Sequence, residues 1–464
     1  MYNAYVTRIK NLRKHPNADR LQLGECFGNT VCVSLEYVDN QLGIYFPCDG
    51  QLSVEFAEAN NLLRKKDDAG NNCGGYMDPN KRNVTAIRLR GEKSDGLFLP
   101  LTCLESFGDV GTLKEGDVIN TFNGNEICCK YIPRRNHRQG YVSDGNRTRK
   151  KKVDVAPLFA EHADTEQLAY NLGAFKPGDE IEITLKMHGT SQRTGYLPVF
   201  KGYKRTFKDW LFRRDGKPIY DWGYVSGTRR TVLDNYDGGY YGSNEFREQH
   251  SKTFEGKLWK GETVYYEVVG FTHTGAPIMA EGNNEKLGKD FVKQYGKTTV
   301  FSYGCDPEGE SFKHEYADCW DGVNVREFKP QSDIYVYRMT MTNEDGAVVE
   351  YTPDFMRYRC EQMGVKTVPV MWKGIIPAHT GDAAAIRLGQ DAGAWIKEKA
   401  EQYYDGPDPI GKTHIREGVV VRILNRPKFT AYKHKNFSFK VLEGIIKDTA
   451  AAPDMEEAQE IEKE

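Results

Sequence analysis

The segment DEIEITLKMHGTSQRTG, Asp179 to Gly195, carries one amine, Lys186, at the end of an alternating apolar run and just before a tight turn through Gly189. His188 stands inside the turn, and two hydroxyls, Thr190 and Ser191, follow it. An amine fixed at a strand end can attack an activated phosphorus once its ammonium has lost a proton, which burial or neighbouring cations favour. A lysine ahead of a glycine turn is more commonly an exposed side chain, so the motif carries weight only in company.

Four further segments supply that company. VYYEVVGF (Val264 to Phe271) sets Glu267 inside an apolar strand, where a lone carboxylate is costly and calls for a hydroxyl, a cation or a metal. In DIYVYRMTM (Asp333 to Met341), Tyr335 and Tyr337 fall on one face by the two-residue period, and either ring could stack on a purine. HIREGVVVRI (His414 to Ile423) puts Glu417 at the start of a Val-rich buried strand. AYKHKNFSFK (Ala431 to Lys440) offers Lys433 and Lys435 on the same side of an extended segment, where two cations suit a phosphate.

The elements that must hold these groups divide the chain. At 464 residues it exceeds what one core supports, so two domains are expected in an α+β fold. Residues 1–125 show short β-branched runs, Thr30 to Val38, Gly43 to Phe46, Val84 to Leu89 and Gly96 to Leu101, separated by Gly, Asn and Asp. That rhythm predicts a small antiparallel barrel. Within it HPNADRLQL (His15 to Leu23) and AIRLRGEKSDGLFLPL (Ala86 to Leu101) resemble the strand-turn segments of OB-type tRNA-binding domains, for contact with RNA or simply for closing the barrel. Residues 126–160 are Arg- and Lys-rich and read as a linker; residues 161–447 form the second domain; residues 448–464 are an acidic tail. At the start of the second domain, HADTEQLAYNLGAF predicts a short helix capped by Asp164 or Thr165 and ending near Gly173.

Composition narrows the class. With 28% charged and 39% hydrophobic residues, and no apolar stretch near the roughly 20 residues a spanning helix needs, the sequence argues against a membrane protein. The charged N-terminus lacks a secretory core, which predicts a cytoplasmic location. Ten cysteines without a C-x-x-C pair argue against a zinc ribbon or a disulfide framework. A net charge of −2 means that any nucleic-acid contact must come from local patches.

The ordered set of nucleophilic lysine, glutamate strand, aromatic strand, Glu417-Gly418 strand and Lys433-x-Lys435 strand resembles the covalent nucleotidyltransferases: RNA ligases, DNA ligases and mRNA capping enzymes. The resemblance spans Lys176 to Leu442. Histidine at 188, where DNA ligases and capping enzymes carry aspartate, is similar to RNA ligases that seal nicked duplexes. An OB-like domain ahead of the transferase domain resembles the ATP-dependent RNA ligase family first defined from Deinococcus. The resemblance implies a nucleotidyltransferase domain of ATP-grasp-like antiparallel sheets with helices, a monomer, and ATP with Mg²⁺ or Mn²⁺ as cofactors. It further implies AMP carried covalently on Lys186, with His188, Gly189, Arg229, Glu267, Tyr337, Glu417, Lys433 and Lys435 around the nucleotide and Glu417 and Glu267 near the metal; the phosphate-gripping arginine is Arg229 in SGTRRTV if YKRTFKDWLFRRDGKPIYDW is an inserted hairpin, and otherwise Arg205 in YKRT. RNA, as a nicked duplex or a tRNA-like molecule, would be the partner, and the host cytoplasm the compartment if the source is a phage. Three rivals share some of these features: a DNA ligase, a capping guanylyltransferase that takes GTP, and a tRNA-binding protein with an inactive transferase domain.

Overall fold

The computed structural model describes residues 2–66, 72–131, 153–163, 165–212, 216–233, 236, 244–272, 278–279, 281–283, 289–295, 297–300, 332–377, 392–410 and 415–448. The basic run Arg147 to Lys152, the acidic tail, Asp164 and His414 lie outside them. The chain forms two compact units, one of residues 1–136, 282–298 and 436–453, the other of residues 137–281, 299–435 and 454–464.

The first unit is built from short strands: β1 (Ala4–Arg8), β2 (Lys10–Lys14), β3 (Leu21–Cys26), β4 (Asn29–Ser34), β5 (Leu42–Phe46), β6 (Gly50–Leu52), β7 (Ala86–Leu89), β8 (Glu92–Asp95), β9 (Leu97–Pro100) and β10 (Val118–Ile119). Antiparallel pairing orders β9, β5, β1 and β10 in one sheet and β2, β3 and β4 in another. A third sheet sets β6 between Cys128–Lys130 and Asn83–Val84, and β7 with β8 makes a hairpin. Alternation along β1 and β5 sends Val6, Ile44 and Phe46 into a core with Leu52, Phe56 and Leu104. Helix α1 (Val54–Ala59) joins that core, its start capped by the Ser53 side chain, which accepts from the amide of Phe56. Among the described residues these ladders are separate sheets, and a closed OB-type barrel is not shown by them.

The second unit holds two larger sheets. The first orders Glu166–Gln167, β18 (Thr430–Lys435), β17 (Gly418–Ile423), β11 (Glu180–Leu185) and β16 (Val370–Ile375). Its strands are antiparallel except where Glu166–Gln167 runs parallel to β18. Ile181 and Ile183 of β11 and Val419, Val421 and Ile423 of β17 share one face and pack with Ile396 and Ala400 of α4 (Ala392–Glu401). The second sheet orders Val232–Leu233, β13 (Lys217–Gly227), β12 (Thr190–Lys204), β14 (Glu262–Gly270), β15 (Ser332–Thr342) and Val348–Glu350. Eight of the nine residues of β14 are buried, leaving Glu267 as the half-exposed one. Helix α3 (Pro353–Met363) covers this sheet with Met356, Cys360 and Met363. Thr352 caps its start, Pro353 follows, and Gly364 ends it in the left-handed region at φ 69°.

Two expectations change. Leu168–Tyr170 and Leu172–Ala174 are single 3₁₀ turns rather than one short helix, and Glu166–Gln167 ahead of them is a strand. A nine-residue stretch ending at Gly173 is too short to repay helix nucleation, and pairing with Tyr432 and Lys433 takes its first residues instead. The segment read as extended to Lys440 turns helical at Phe437, opening α5 (Phe437–Asp448), which belongs with the first unit although residues to 447 were expected in the second domain. Asn436 Oδ1 accepts from the amide of Ser438 at 2.7 Å to cap it, and Phe437, Phe439, Val441 and Leu442 are buried. Lys440 Nζ lies 2.7 Å from Asp95 Oδ2. Burial works against the Lys440 charge, but Asp95 outweighs it and raises the ammonium pKa. No described helix is long and apolar enough to cross a membrane.

Candidate active site

Strand β11 ends at Leu185, and the chain then passes from the first sheet of the second unit to the other through Lys186, Met187, His188 and Gly189 before β12 begins. The Lys186 amide donates to the Gly418 carbonyl at 3.0 Å, and Gly418 is paired with Lys435. Lys186, Gly418 and Lys435 therefore form one row across three neighbouring strands. Thr184, Val420 and Lys433 make the row behind it on the same face. The row is tight because of Gly418: a Cβ there would lie 2.1 Å from the His434 carbonyl oxygen, and its φ is +149°. Gly189 has a similar reason, since a Cβ would meet the Val268 carbonyl oxygen at 2.4 Å where the loop runs against β14.

Glu417 stands beside this row and gathers it. Its Oε1 is 2.6 Å from Lys186 Nζ and 3.3 Å from Lys435 Nζ, and its Oε2 is 3.4 Å from His188 Nδ1. The carboxylate is only 3% exposed. Burial pushes its pKa up, yet the two ammonium groups and then His188 overcome that and hold it far below the usual carboxylate range. Glu417 is thus a fixed negative charge and a poor proton acceptor. Three residues singled out from two stretches, Lys186, His188 and Lys435, meet at the carboxylate of Glu417 from a third.

A second row crosses the other sheet. Ser191, Glu267 and Tyr335 are in register on β12, β14 and β15. Ser191 Oγ donates to Glu267 Oε2 at 3.3 Å and lies 3.2 Å from the Tyr337 hydroxyl. The two tyrosines differ in setting. Tyr335 is 8% exposed and packs with Leu185, Met187, Val269 and Val368, whereas Tyr337 is partly buried at the margin of that cluster. Tyr337 is also the extra residue of a β-bulge, because Val336 and Arg338 pair with the consecutive residues Tyr266 and Tyr265. Bulges of this kind re-aim side chains beside active sites.

The arginines separate in space. Residues Tyr203 to Trp222 form the outer part of the β12–β13 hairpin, with Arg205 exposed just past its last pair, Lys204 with Lys217. Arg193 pairs with Gly227 at the other end of that ladder, and Arg229 follows two residues later. The charge of Arg229 helps to depress the pKa of His162, after burial and Arg338, so Arg229 is at the site end of the hairpin and Arg205 at the far end. His162 stands edge-on to Tyr337 with ring centroids 5.1 Å apart.

Three contributors were not anticipated from the sequence. Arg247, fully buried on α2 (Glu245–Lys252), donates from Nη1 to the Ser191 carbonyl at 3.0 Å and from Nη2 to Thr190 Oγ1 at 2.6 Å, bracing the chain just beyond the turn. Ser191 links Glu267 to Tyr337, and His162 flanks Tyr337. Arg247 and His162 lie 61 and 24 residues from Lys186 in the sequence, and only the fold brings them near. The hydroxyl at Ser191 was legible, but its partners were not.

Among the described residues no group of three or more His, Cys, Asp or Glu side chains could cage a metal ion. Magnesium does not require one: it keeps several waters and binds through one or two carboxylates with substrate phosphates. Glu417 fits that demand as a buried hard oxygen donor, with His188 Nδ1 3.4 Å from its Oε2. Glu267, already joined to Ser191, is the weaker candidate.

No family model and no curated protein matches this sequence. Solved structures do. A variant of Naegleria gruberi RNA ligase with ATP and Mn aligns over 94% of this chain and 98% of its own at 14% identity, with a TM-score of 0.50. The same ligase with PPi aligns over 97% of this chain and 99% of its own at 15% identity, with a TM-score of 0.51. The fold is shared with an RNA ligase. A third structure, a variant of that ligase with AMP and Mn, gives a TM-score of 0.51 at 14% identity over 94% of this chain and 97% of its own.

Proposed function

We propose that this chain is an ATP-dependent RNA ligase that joins a 3′-hydroxyl to a 5′-phosphate, sealing nicks in duplex RNA, with the Deinococcus-type RNA ligases as its family. The observation that carries the reading is the convergence of Lys186, Lys435 and His188 on buried Glu417. A strand-end amine beside a second lysine is what attack on the α-phosphorus of ATP demands.

In the first step the Lys186 nitrogen bonds to the α-phosphorus as the bond to the bridging oxygen breaks, and pyrophosphate leaves with the electron pair. The amine must first lose its proton. Glu417, held well below the carboxylate range, does not keep it, so the proton passes to solvent. In the second step an oxygen of the RNA 5′-phosphate attacks the lysyl-AMP phosphorus, and the P–N bond breaks with proton return to Lys186. In the third step the 3′-hydroxyl oxygen attacks the 5′-phosphate of the RNA-adenylate, releasing AMP and the hydroxyl proton. Lys433 and Lys435 line one face and offset the charge that gathers on the phosphoryl oxygens. Tyr337 stacks on adenine, Glu267 holds the ribose through its hydroxyls, and Arg229 grips a phosphate. Mg²⁺ or Mn²⁺ held by Glu417 would withdraw charge from the phosphates.

Kinetics on a pre-adenylylated nicked duplex test the reading. Sealing that requires a ribose 3′-hydroxyl and a duplex template supports it. Equal sealing with deoxyribose on both sides of the nick moves the DNA-ligase reading ahead.

A further inference from the structure

Strand β12 pairs with β14 only from Thr190 to Gly195, while its pairing with β13 continues nine residues farther, to Lys204 with Lys217. The outer hairpin is therefore a two-stranded ribbon running past the edge of its sheet. Its base is supported: Leu197 and Val199 pack with Ala156, Phe159 and Val225, and the Phe200 amide donates to the Val155 carbonyl at 2.8 Å. Among the described residues its outer end is more exposed. Lys201, Lys204, Lys217 and Pro218 are exposed, Ile219 is 43% exposed, and at the tip Phe207, Leu211 and Phe212 are 75%, 58% and 63% exposed. Large apolar side chains exposed together at a hairpin tip mark an interaction surface.

Charge identifies what such a tip suits. From Phe200 to Tyr220 the sequence has seven Lys or Arg residues against two Asp, in a chain whose net charge is −2. Aromatic residues alternate with these cations. Basic side chains interleaved with exposed rings are the chemistry of a phosphate backbone with bases to stack on. We propose that this hairpin is an RNA-holding arm that grips the polynucleotide to one side of the ends being joined. The partner follows from the RNA-ligase reading; the arm itself follows from shape and charge. From Ser191 to Lys204 the strand reaches at most roughly 43 Å. At the roughly 2.8 Å rise of A-form RNA, such a reach corresponds to about fifteen base-pair steps from the site.

The test compares the full chain with a Lys201→Ser, Lys204→Ser, Lys217→Ser variant and a Phe207→Ser, Phe212→Ser variant. Each is assayed for label transfer from α-labelled ATP, for RNA binding across a salt series, and for sealing of nicked RNA duplexes. The arm predicts unchanged lysyl-AMP formation in both variants. On duplexes of about 20 base pairs a side, the lysine variant raises KM on the order of tenfold and lowers the salt slope by about 1 per lost phosphate contact. On duplexes of about 6 base pairs a side, too short to reach the arm, the variants match the wild type. Equal KM and salt slope on the long duplex overturn the arm, as does the same loss on long and short. Loss of binding to anionic phosphatidylserine vesicles with RNA binding intact would overturn it in favour of a membrane contact. If wild type takes no label but RNA binding still depends on the arm, the ligase reading fails and the arm stands.

Discussion

Replacing Glu417 by glutamine keeps the side-chain volume and removes one charge, so any effect is electrostatic rather than a cavity. In the wild type one oxygen is shared by Lys186 at 2.6 Å and Lys435 at 3.3 Å. Without the carboxylate, two ammonium groups at most about 6 Å apart face each other, repelling by at least about 3 kcal/mol at an effective dielectric near 20. Breaking a buried pair by removing one partner costs about 3–5 kcal/mol. Lys186, 23% exposed, can turn toward water, which favours the low end of that range. At about 1–2 °C per kcal/mol for a unit of nearly 300 residues, the expected fall in melting temperature is about 3–6 °C. The pH dependence has a definite sign. The Glu417 carboxyl is depressed in the folded state, so its stabilisation is present above the ordinary value of 4.5 and lost as pH falls through the folded value. Melting is followed by calorimetry from about pH 2 to 8, so that the acid loss is covered, and lysyl-AMP formation by label transfer, expected to fall at least about 100-fold. A melting temperature within about 2 °C of wild type at neutral pH would refute the reasoning.

Other predictions are narrower. Tyr337→Ala should raise the KM for ATP roughly three- to tenfold with little change in melting, while Tyr335→Ala should cost about 3 kcal/mol of stability; equal behaviour of the two variants would contradict the assignment. Arg247→Met removes two hydrogen bonds to Thr190 and Ser191 and should lose about 3 kcal/mol while slowing lysyl-AMP formation. An unchanged rate at a lowered melting temperature would make Arg247 a purely structural residue. Burial lowers the pKa of His250 from 6.5 to about 4, so its contribution is present above pH 6.5 and is lost as pH falls toward 4. His250→Gln should remove a stability slope of at most about 1.4 kcal/mol per pH unit in that window, read from denaturation midpoints, and an unaltered slope would show that another group carries it.

The reactive members of the candidate site were legible because each lies on a strand with its own β-branched pattern or one residue beyond its end. Lys186, Glu417 and Lys435 could be named from three such strands. The sequence could not show that β11, β17 and β18 are neighbours, since pairing partners depend on register across more than 200 residues. The same limit hid Arg247 and His162, whose roles come from contacts distant in sequence. Tyr335 and Tyr337 looked equivalent by period, and a bulge that no local pattern announces separates them. Helix α5 was assigned by its place in the chain, whereas its Lys440 is bound to Asp95, 345 residues earlier. The short turns after Gln167 were misread because parallel pairing with β18 outweighed a weak helical pattern.

The most direct test mixes purified protein with Mg²⁺ and α-labelled ATP or α-labelled GTP, then follows label that survives denaturation in wild type and in Lys186→Ala. Acid-labile label from ATP on wild type alone is the predicted result. No label from either nucleotide, on protein shown to be free of bound AMP, would contradict Lys186 as the nucleophile and the ligase reading with it.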